Sequence, residues 1–333
     1  MDYIGSKIKL NEWIFGTIES IVDENDDPFL DACCGSGAVS RYAANECYEV
    51  IANDIMKFAS VIANGSIGVS DPMLVEARDH IRAIDALDPI EGFFFHNFCD
   101  ESDSPRLYFT AANAGKIDAA RAYLEYIPPG KLKDYLLYCG IEALSRVSNT
   151  TGVQSAFLKK FKTRALNDFR FRLEDVIRGH ISGAFNEDVL TLLTDHDLKY
   201  DILYLDPPYN HRQYGPNYHL YETFVRNDDP AVNGSTGLRS WQEESKSDFC
   251  SKKACLGFLK QVIGASTAKW NFISYNSDGI MTKEDVMGTF EGCQCFEQLY
   301  RRYRSDVSET RQYNESDLVE YLFAIPGKIP GMA

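Results

Sequence analysis

The sequence lacks any apolar run that approaches the roughly 20 residues needed to span a bilayer. Its first residues also lack the basic-then-apolar pattern of a secretory signal peptide. No internal repeat or long low-complexity tract is visible. We therefore expect a cytoplasmic protein that does not associate with a membrane.

The cysteines lack the spacing of a metal site or a redox motif. The chain has 9 of them, an odd number, and no Cys-x-x-Cys pair. Cys250 with Cys255, and Cys293 with Cys295, have no histidine nearby at zinc-ligand spacing. We expect reduced, mostly buried thiols and predict no metal site.

The chain also lacks an overall excess of basic residues, since its formal net charge is −15. That balance argues against a surface that is generally attractive to phosphate. Residues 158–172 run against it, with six basic residues, one acidic residue and three interleaved phenylalanines, Phe161, Phe169 and Phe171. Basic and aromatic residues together suit phosphate contact and base stacking. The alternative is a solvated helical face whose phenylalanines pack inward.

The basic residues of this segment are our candidates for nucleic-acid contact. They are Lys159, Lys160, Lys162, Arg164, Arg170 and Arg172. A smaller basic cluster follows at Arg301, Arg302 and Arg304. The polar turn at 148–152 is a further candidate for approach to nucleic acid, although it needs no function as a plain loop.

The most informative motif is Asp206-Pro207-Pro208-Tyr209, which follows the apolar run 202–205. The run predicts a buried parallel strand, and the double proline ends it abruptly in an extended conformation. Ligands bind at such carboxyl edges in open α/β folds. The Asp206 carboxylate and the Pro207 carbonyl can each accept a hydrogen bond from one NH₂ group, and Tyr209 can stack on the ring that carries it. The alternative is a plain turn after a strand.

A glycine motif lies earlier, where residues 29–37 read Phe-Leu-Asp-Ala-Cys-Cys-Gly-Ser-Gly before a helical pattern. Gly35 and Gly37 permit a close approach of backbone to a ligand. The third glycine of the dinucleotide fingerprint is missing, and Asp31 would repel a phosphate. A second strand at 50–52 leads to Asp54, which could hold two ribose hydroxyls. S-adenosylmethionine is a nucleoside that has a positive centre and no phosphate, so it fits these residues.

A third motif, Tyr3-Ile4-Gly5-Ser6-Lys7, precedes apolar residues at helical spacing. With the motifs in the order Gly-x-Lys, Asp-x-x-x-Gly-x-Gly and Asp-Pro-Pro-Tyr, the chain resembles the adenine-specific DNA methyltransferases of the Dam-like group. The resemblance spans nearly the whole chain, with a looser match in the middle third. Cys33 and Cys34 depart from the family, which often has Phe or Ala there.

The resemblance implies an α/β, Rossmann-like S-adenosylmethionine-dependent methyltransferase fold, built on a mixed seven-stranded sheet with an inserted helical subdomain. It implies that Tyr3 and Lys7 contact the methionine end of the cofactor. The other implied cofactor contacts are Asp31, Gly35 and Gly37 beneath it, Asp54 on its ribose, and Asp188 with Val189 at its adenine. Asp206, Pro207, Pro208 and Tyr209 would bind the flipped target adenine. The alternatives are a solvated lysine for Lys7 and an end cap for Asp188.

The domain organisation follows from the changes in pattern along the chain. We predict a catalytic domain from 1–65 and 180–333, interrupted by a mainly helical subdomain at 66–179 that could recognise DNA. The alternation of strands and helices breaks at 64–68, and strand signals resume near Val189, 200–205, 270–275, 294–304 and 318–325. We expect the last two strands to form an antiparallel hairpin, and the polar stretch 210–254 to be a lid or a substrate-binding segment.

These motifs predict a site-specific enzyme that flips adenine out of duplex DNA and methylates its exocyclic amine by direct in-line transfer. A restriction endonuclease is the expected counterpart. Three alternatives stay open at this point: a methyltransferase for a planar amine in RNA, protein or cytosine; a non-catalytic DNA-binding module with the same fold; and a dinucleotide-dependent oxidoreductase.

Overall fold

The computed structural model describes residues 3–22, 28–103, 105–240, 246–300 and 318–327. The basic cluster at Arg301, Arg302 and Arg304 lies outside these ranges. The strands are β1 (Phe29–Asp31), β2 (Glu49–Asn53), β3 (His180–Phe185), β4 (Ile202–Leu205), β5 (Val232–Asn233), β6 (Leu238–Arg239), β7 (Trp270–Asn276), β8 (Gln294–Tyr300) and β9 (Leu318–Pro326).

Seven of these strands form one mixed sheet in the order β3-β2-β1-β4-β7-β9-β8, and β5 pairs with β6 separately. The predicted Rossmann-like methyltransferase fold is therefore confirmed. The late hairpin is also confirmed, because β9 runs antiparallel to both β7 and β8. The strands predicted at 50–52 and 202–205 are found in β2 and β4, and the one at 202–205 runs parallel to its neighbours as predicted.

The chain divides into two compact units, of which the first comprises residues 1–8, 34–187 and 214–246. It contains the parallel pair β2–β3, with a register shift between Val50 and Ile51. Its helices are α2 (Ala38–Asn45), α3 (Lys57–Ser66), α4 (Asp71–Ala86), α5 (Phe93–Phe98), α6 (Ala111–Glu125), α7 (Lys131–Val147) and α9 (His219–Arg226). The helices α4, α6 and α7 lie in the segment predicted to be mainly helical, whereas the separate subdomain at 66–179 stays a prediction.

The break predicted at 64–68 falls in the last part of that range, because α3 continues to Ser66 and ends there. Gly65 lies inside that helix, where a Cβ would collide with the backbone carbonyl of Asp134 at the start of α7. A glycine that reads as a helix breaker in sequence instead allows two helices to pack closely.

The second unit comprises residues 9–33, 188–213 and 247–333. Its strands are β1, β4, β7, β9 and β8, and its helices are α1 (Asn11–Glu19), α8 (Val189–Asp195), α10 (Cys255–Ala265) and α11 (Lys283–Met287). The strand signal near Val189 is wrong, because α8 begins at that residue. The preceding side chain, Asp188, accepts hydrogen bonds from the amides of Leu190 and Thr191, which caps the helix.

The polar stretch 210–254 contains α9 and the β5–β6 hairpin, and its role as a lid or a substrate-binding segment stays a prediction. The basic segment 158–172 has a single 3₁₀ turn at Thr163–Leu166 and is otherwise irregular, so the alternative of a helical face is wrong. None of the nine cysteines, all of which lie in the described ranges, forms a disulfide, and five are buried. Across the residues that the structure describes, no helix combines the length and the apolar character required to cross a membrane.

Candidate active site

The glycine loop after β1 has an unusual backbone in the first unit. Gly35 and Gly37 have φ values of +49° and +71°, in the left-handed region that favours glycine. A Cβ on Gly35 would lie 2.8 Å from the hydroxyl of Tyr3, and one on Gly37 would lie 3.3 Å from the side chain of Ile62. The two glycines therefore let the loop pack closely against Tyr3 and Ile62 of the same unit, and a close approach of its backbone to a ligand stays a prediction.

Asp54 lies directly after β2 and binds this loop. One carboxylate oxygen accepts a 2.9 Å hydrogen bond from the Gly35 amide, and the other accepts a 2.8 Å bond from the Met56 amide. Burial raises the pKa of Asp54 to about 6, against the lowering effect of the two amides, and the charge of Glu222 raises it further. Each oxygen keeps a lone pair for another donor, such as a ribose hydroxyl.

The N-terminal segment lies on the glycine loop through aromatic packing. The ring of Tyr3 stacks on Tyr218, with centroids 4.5 Å apart and planes 8° apart, and contacts Phe58 at 6.4 Å. The Tyr218 hydroxyl accepts a 2.7 Å hydrogen bond from the Ile4 amide. Burial raises the pKa of Tyr3 well above its ordinary value, so the phenol stays neutral.

Lys7 is only 4% exposed, and its amine donates a 3.3 Å hydrogen bond to the Gly5 carbonyl. The alternative of a solvated lysine at a helix start is therefore wrong. Lys7 belongs to the same compact unit as the glycine loop, and an ammonium is chemically suited to pair with an anionic group such as a carboxylate.

Sequence reasoning missed Glu222, which is fully buried on α9. Its carboxylate accepts hydrogen bonds from the amides of Lys57 and Phe58, at 3.2 and 3.0 Å, and pairs with Arg226. It thereby satisfies amides at the N-terminus of α3, immediately after the turn that carries Asp54. No local signal could have found it, because 165 residues separate Glu222 from Lys57.

The Asp-Pro-Pro-Tyr motif belongs to the second unit, where it follows β4 directly. Asp206 is half-buried, whereas Pro207 and Tyr209 are buried. The Tyr209 carbonyl accepts a 3.0 Å hydrogen bond from the Ile280 amide, which fixes the end of the motif. Asp31 is 1% exposed on β1 and lies in register with Tyr204 of β4.

Asp188 and Val189 lie at the start of α8 in the same unit. Asp188 is a helix cap, so the structural alternative holds for this residue, and Val189 is buried. A contact of either residue with the adenine of a cofactor stays a prediction.

The basic segment belongs to the first unit and exposes most of its charge. The side chains of Lys159, Lys160, Arg164, Arg170 and Arg172 are exposed, and that of Lys162 is half-buried. Phe169 and Phe171 are buried and contact each other edge to face at 5.7 Å, because the core uses their rings. Base stacking by these two phenylalanines is therefore wrong.

A buried asparagine that sequence reasoning missed holds the start of this segment. The Asn149 amide donates to the carbonyls of Leu158 and Lys160, at 3.1 and 3.3 Å, and accepts a 3.0 Å bond from the Lys162 amide. Its only sequence signal was its position in a polar turn. The lysine backbone is thus fixed while the charged tips of Lys159 and Lys160 remain accessible.

Comparison with known proteins agrees with this geometry. A family model described as D12 class N6 adenine-specific DNA methyltransferase matches residues 3–285. The chain is 34% identical to the type II methyltransferase M.NlaIII of Neisseria lactamica, over 97% of this chain and 98% of that protein. It is 32% identical to M.CviAII of Paramecium bursaria Chlorella virus 1, over 97% of both chains. It is also 32% identical to M.FokI of Planomicrobium okeanokoites, of which it spans about half, 52%.

Proposed function

The chain belongs to the D12 class of N6 adenine-specific DNA methyltransferases, and from that premise we propose how its residues divide the reaction. Asp206 and the Pro207 carbonyl hold the target amine, with Pro208 keeping the turn rigid and Tyr209 stacking on the adenine. The observation that carries the proposal is the half-buried Asp206 carboxylate directly beyond β4.

S-adenosylmethionine is the proposed methyl donor, and the first unit has a chemistry that fits it. The glycine loop has no side chain at its two left-handed positions, Asp54 offers two acceptor oxygens, and Lys7 is a buried ammonium. We assign Asp54 to the ribose hydroxyls, and Tyr3 with Lys7 to the methionine end. Asp31, Gly35 and Gly37 would lie beneath the cofactor, and Asp188 with Val189 would contact its adenine.

The amine of adenine is a poor nucleophile, because its lone pair delocalises into the ring. Flipping the base out of the duplex costs about a few kcal/mol of stacking and pairing. Hydrogen bonds from the amine to Asp206 and the Pro207 carbonyl favour a tetrahedral nitrogen with a localised lone pair. Bound S-adenosylmethionine supplies the methyl group as an electrophilic carbon on a sulfonium. The nitrogen loses one proton as it gains the methyl group, and the Asp206 carboxylate is the proposed acceptor of that proton.

For DNA, we propose that Lys159, Lys160, Lys162, Arg164, Arg170 and Arg172 contact phosphates. The exposed tips on a backbone fixed by Asn149 support the assignment. The subdomain predicted at 66–179 would then carry this phosphate contact together with target recognition.

The relatives that are called type II methyltransferases support a role in a restriction-modification system, with a restriction endonuclease as the counterpart. DNA as substrate supports a cytoplasmic location. The family match favours adenine over the amines of RNA, protein or cytosine, and it is incompatible with the dinucleotide-dependent oxidoreductase.

The test is the incorporation of labelled methyl groups into adenine of duplex DNA. We expect Asp206→Ala to lower the rate by about 100-fold or more, as for the loss of one preorganised polar partner. Tyr209→Ala should cost less, about 1–3 kcal/mol of stacking, and Tyr209→Phe should retain most activity. Asp197→Ala, at an exposed carboxylate, is the control. A folded Asp206→Ala protein with wild-type rates, or methyl groups found in RNA or protein instead, would overturn the proposal.

A further inference from the structure

Tyr204 is a buried tyrosine to which the mechanism above gives no role. It lies on β4, two residues before Asp206, and its side chain is fully buried. Side chains two residues apart along a strand point to the same face of the sheet. Asp31 lies beside Tyr204 in register on β1, so it faces the same way. The Tyr204 phenol therefore points to the same face of the sheet as Asp31, at the end of β1, and Asp206, directly after β4.

The strands on the other side of β4 add two further polar groups to this face. Phe272 of β7 pairs with Tyr204 in register, and Ser274 follows two residues later. Glu320 of β9 is opposite Asn276, two residues beyond Ser274. Ser274 is 1% exposed and Glu320 is 6% exposed. One buried phenol thus shares a sheet face with a hydroxyl and with carboxylates from three sequence segments.

In these surroundings the Tyr204 hydroxyl keeps its proton, so it can always donate a hydrogen bond. Burial raises the pKa of Tyr204 well above its ordinary value, and the charges of Asp206, Asp31 and Glu320 raise it further, while the Ser274 hydroxyl opposes them. The phenol is therefore neutral wherever the enzyme works. Within the described residues, neither the Tyr204 nor the Ser274 hydroxyl has a hydrogen bond of good geometry. A buried donor in that state is costly unless an acceptor turns to meet it.

We propose that Tyr204 is a positioning residue for methyl transfer: its hydroxyl donates a hydrogen bond to the Asp206 carboxylate when the target amine is bound, with Ser274 donating to Tyr204 from behind. The bond holds Asp206 ionised and oriented as an acceptor for the amine. Asp206 follows Tyr204 by two residues along the chain, directly after β4, and its charge also raises the pKa of Tyr204, which together favour it as the acceptor. Because Tyr204 acts through Asp206, its role rests on the proposed function of that carboxylate.

The decisive variant is Tyr204→Phe, which removes the hydroxyl and keeps the ring that stacks 5.9 Å from Phe29. We expect single-turnover methyl transfer to fall about tenfold, the scale of one hydrogen bond to a charged group. The acid limb of the pH–rate profile should move to higher pH, because Asp206 loses a donor that favours its ionised form. Affinities for S-adenosylmethionine and for DNA should not change. Ser274→Ala should move the profile in the same direction by less.

The matched control is Tyr200→Phe. Tyr200 is also buried, shortly before β4, but its hydroxyl accepts a 3.3 Å hydrogen bond from the Thr267 amide. We expect its loss to leave the pH–rate profile in place. A folded Tyr204→Phe enzyme with the wild-type rate and profile would overturn the inference, as would an equal effect of Tyr200→Phe. If thermal melting shows that Tyr204→Phe does not fold, the test passes to Ser274→Ala. An unchanged pH–rate profile in Ser274→Ala would then overturn the inference.

A further variant, Asp206→Asn, separates the two levels of the proposal. If Asp206→Asn methylates DNA at the wild-type rate, the role of Asp206 itself fails. If Asp206→Asn is inactive while Tyr204→Phe behaves as wild type, only the role of Tyr204 fails.

Discussion

The amide of Gly35 donates a 2.9 Å hydrogen bond to the carboxylate of Asp54, which joins the glycine loop to the end of β2. The residue assigned to the cofactor's ribose is therefore also a structural tie for the loop assigned to lie beneath it. The two roles make different predictions, because one depends on the bound cofactor and the other does not.

We predict that Asp54→Ala weakens binding of S-adenosylmethionine by about 1–3 kcal/mol, since the ribose hydroxyls lose their acceptor. Isothermal calorimetry measures the effect. Glu49→Ala, at the exposed start of the same strand, is the control and should bind normally. Wild-type affinity in Asp54→Ala would show that Asp54 is not the ribose ligand.

Cofactor affinity should also depend on pH. The pKa of Asp54 is raised to about 6, so the carboxylate gains a proton and loses acceptor strength as the pH falls through about 6. We expect the dissociation constant of S-adenosylmethionine to rise over that window in the wild type. It should stay nearly constant in Asp54→Asn, which has no carboxylate at this position. Calorimetry between about pH 5 and pH 8 compares the two proteins.

The raised pKa of Asp54 has the opposite effect on the stability of the cofactor-free protein. A rise in pH should strengthen cofactor binding but lower the free energy of unfolding. The folded state holds the proton on Asp54 more tightly than the unfolded state, whose ordinary pKa is 3.8. The contribution of Asp54 to the free energy of unfolding should therefore fall as the pH rises from about 4 to about 6. Urea denaturation of the wild type and of Asp54→Asn should diverge over that range, and parallel curves would contradict the shift.

Gly35→Ala should destabilise the protein through two separable causes. A left-handed φ of +49° costs an alanine about 1–2 kcal/mol, and its Cβ would approach the Tyr3 hydroxyl. In a Tyr3→Ala background we expect the steric part to vanish and the backbone part to remain, as a double-mutant cycle would show. Gly257→Ala in α10, where a Cβ meets nothing, is the control and should be neutral or stabilising. Additive effects of the two substitutions would mean that Tyr3 does not pack on Gly35.

Neutralising Lys159, Lys160 and Lys162 to glutamine should weaken DNA binding on any sequence. The slope of log affinity against log salt should flatten by up to about 0.9 per lost phosphate contact. We expect Lys162 to account for a smaller part of this change in slope, because its amine donates a hydrogen bond to the Thr150 carbonyl. Fluorescence titrations at several salt concentrations measure the slope. The control variant Lys252→Gln with Lys253→Gln changes the net charge at another place and should leave the slope nearly unchanged. An unchanged slope in the triple variant would show that this segment does not contact DNA.

The sequence by itself determined the strand ends and the motifs that follow them. The apolar run before Asp206, the double proline and the left-handed glycines are local properties of the backbone, and they appear in the structure as predicted. The positions of the last two strands also followed from local pattern, and their antiparallel pairing is what the family resemblance implies. Neighbouring residues restrict one another's dihedral angles, so such features can be predicted without knowing the fold.

The tertiary structure alone decided which distant polar groups meet. Glu222 caps α3 across more than 160 residues of chain, and Asn149 fixes the backbone of the lysine segment. Gly65 looked like a break and proved to be a packing position, and Phe169 looked like a stacking ring and proved to be core. Each of these roles depends on what surrounds a side chain once it is buried. Burial is a property of the whole fold, and a buried polar group must find its partner wherever the chain brings one.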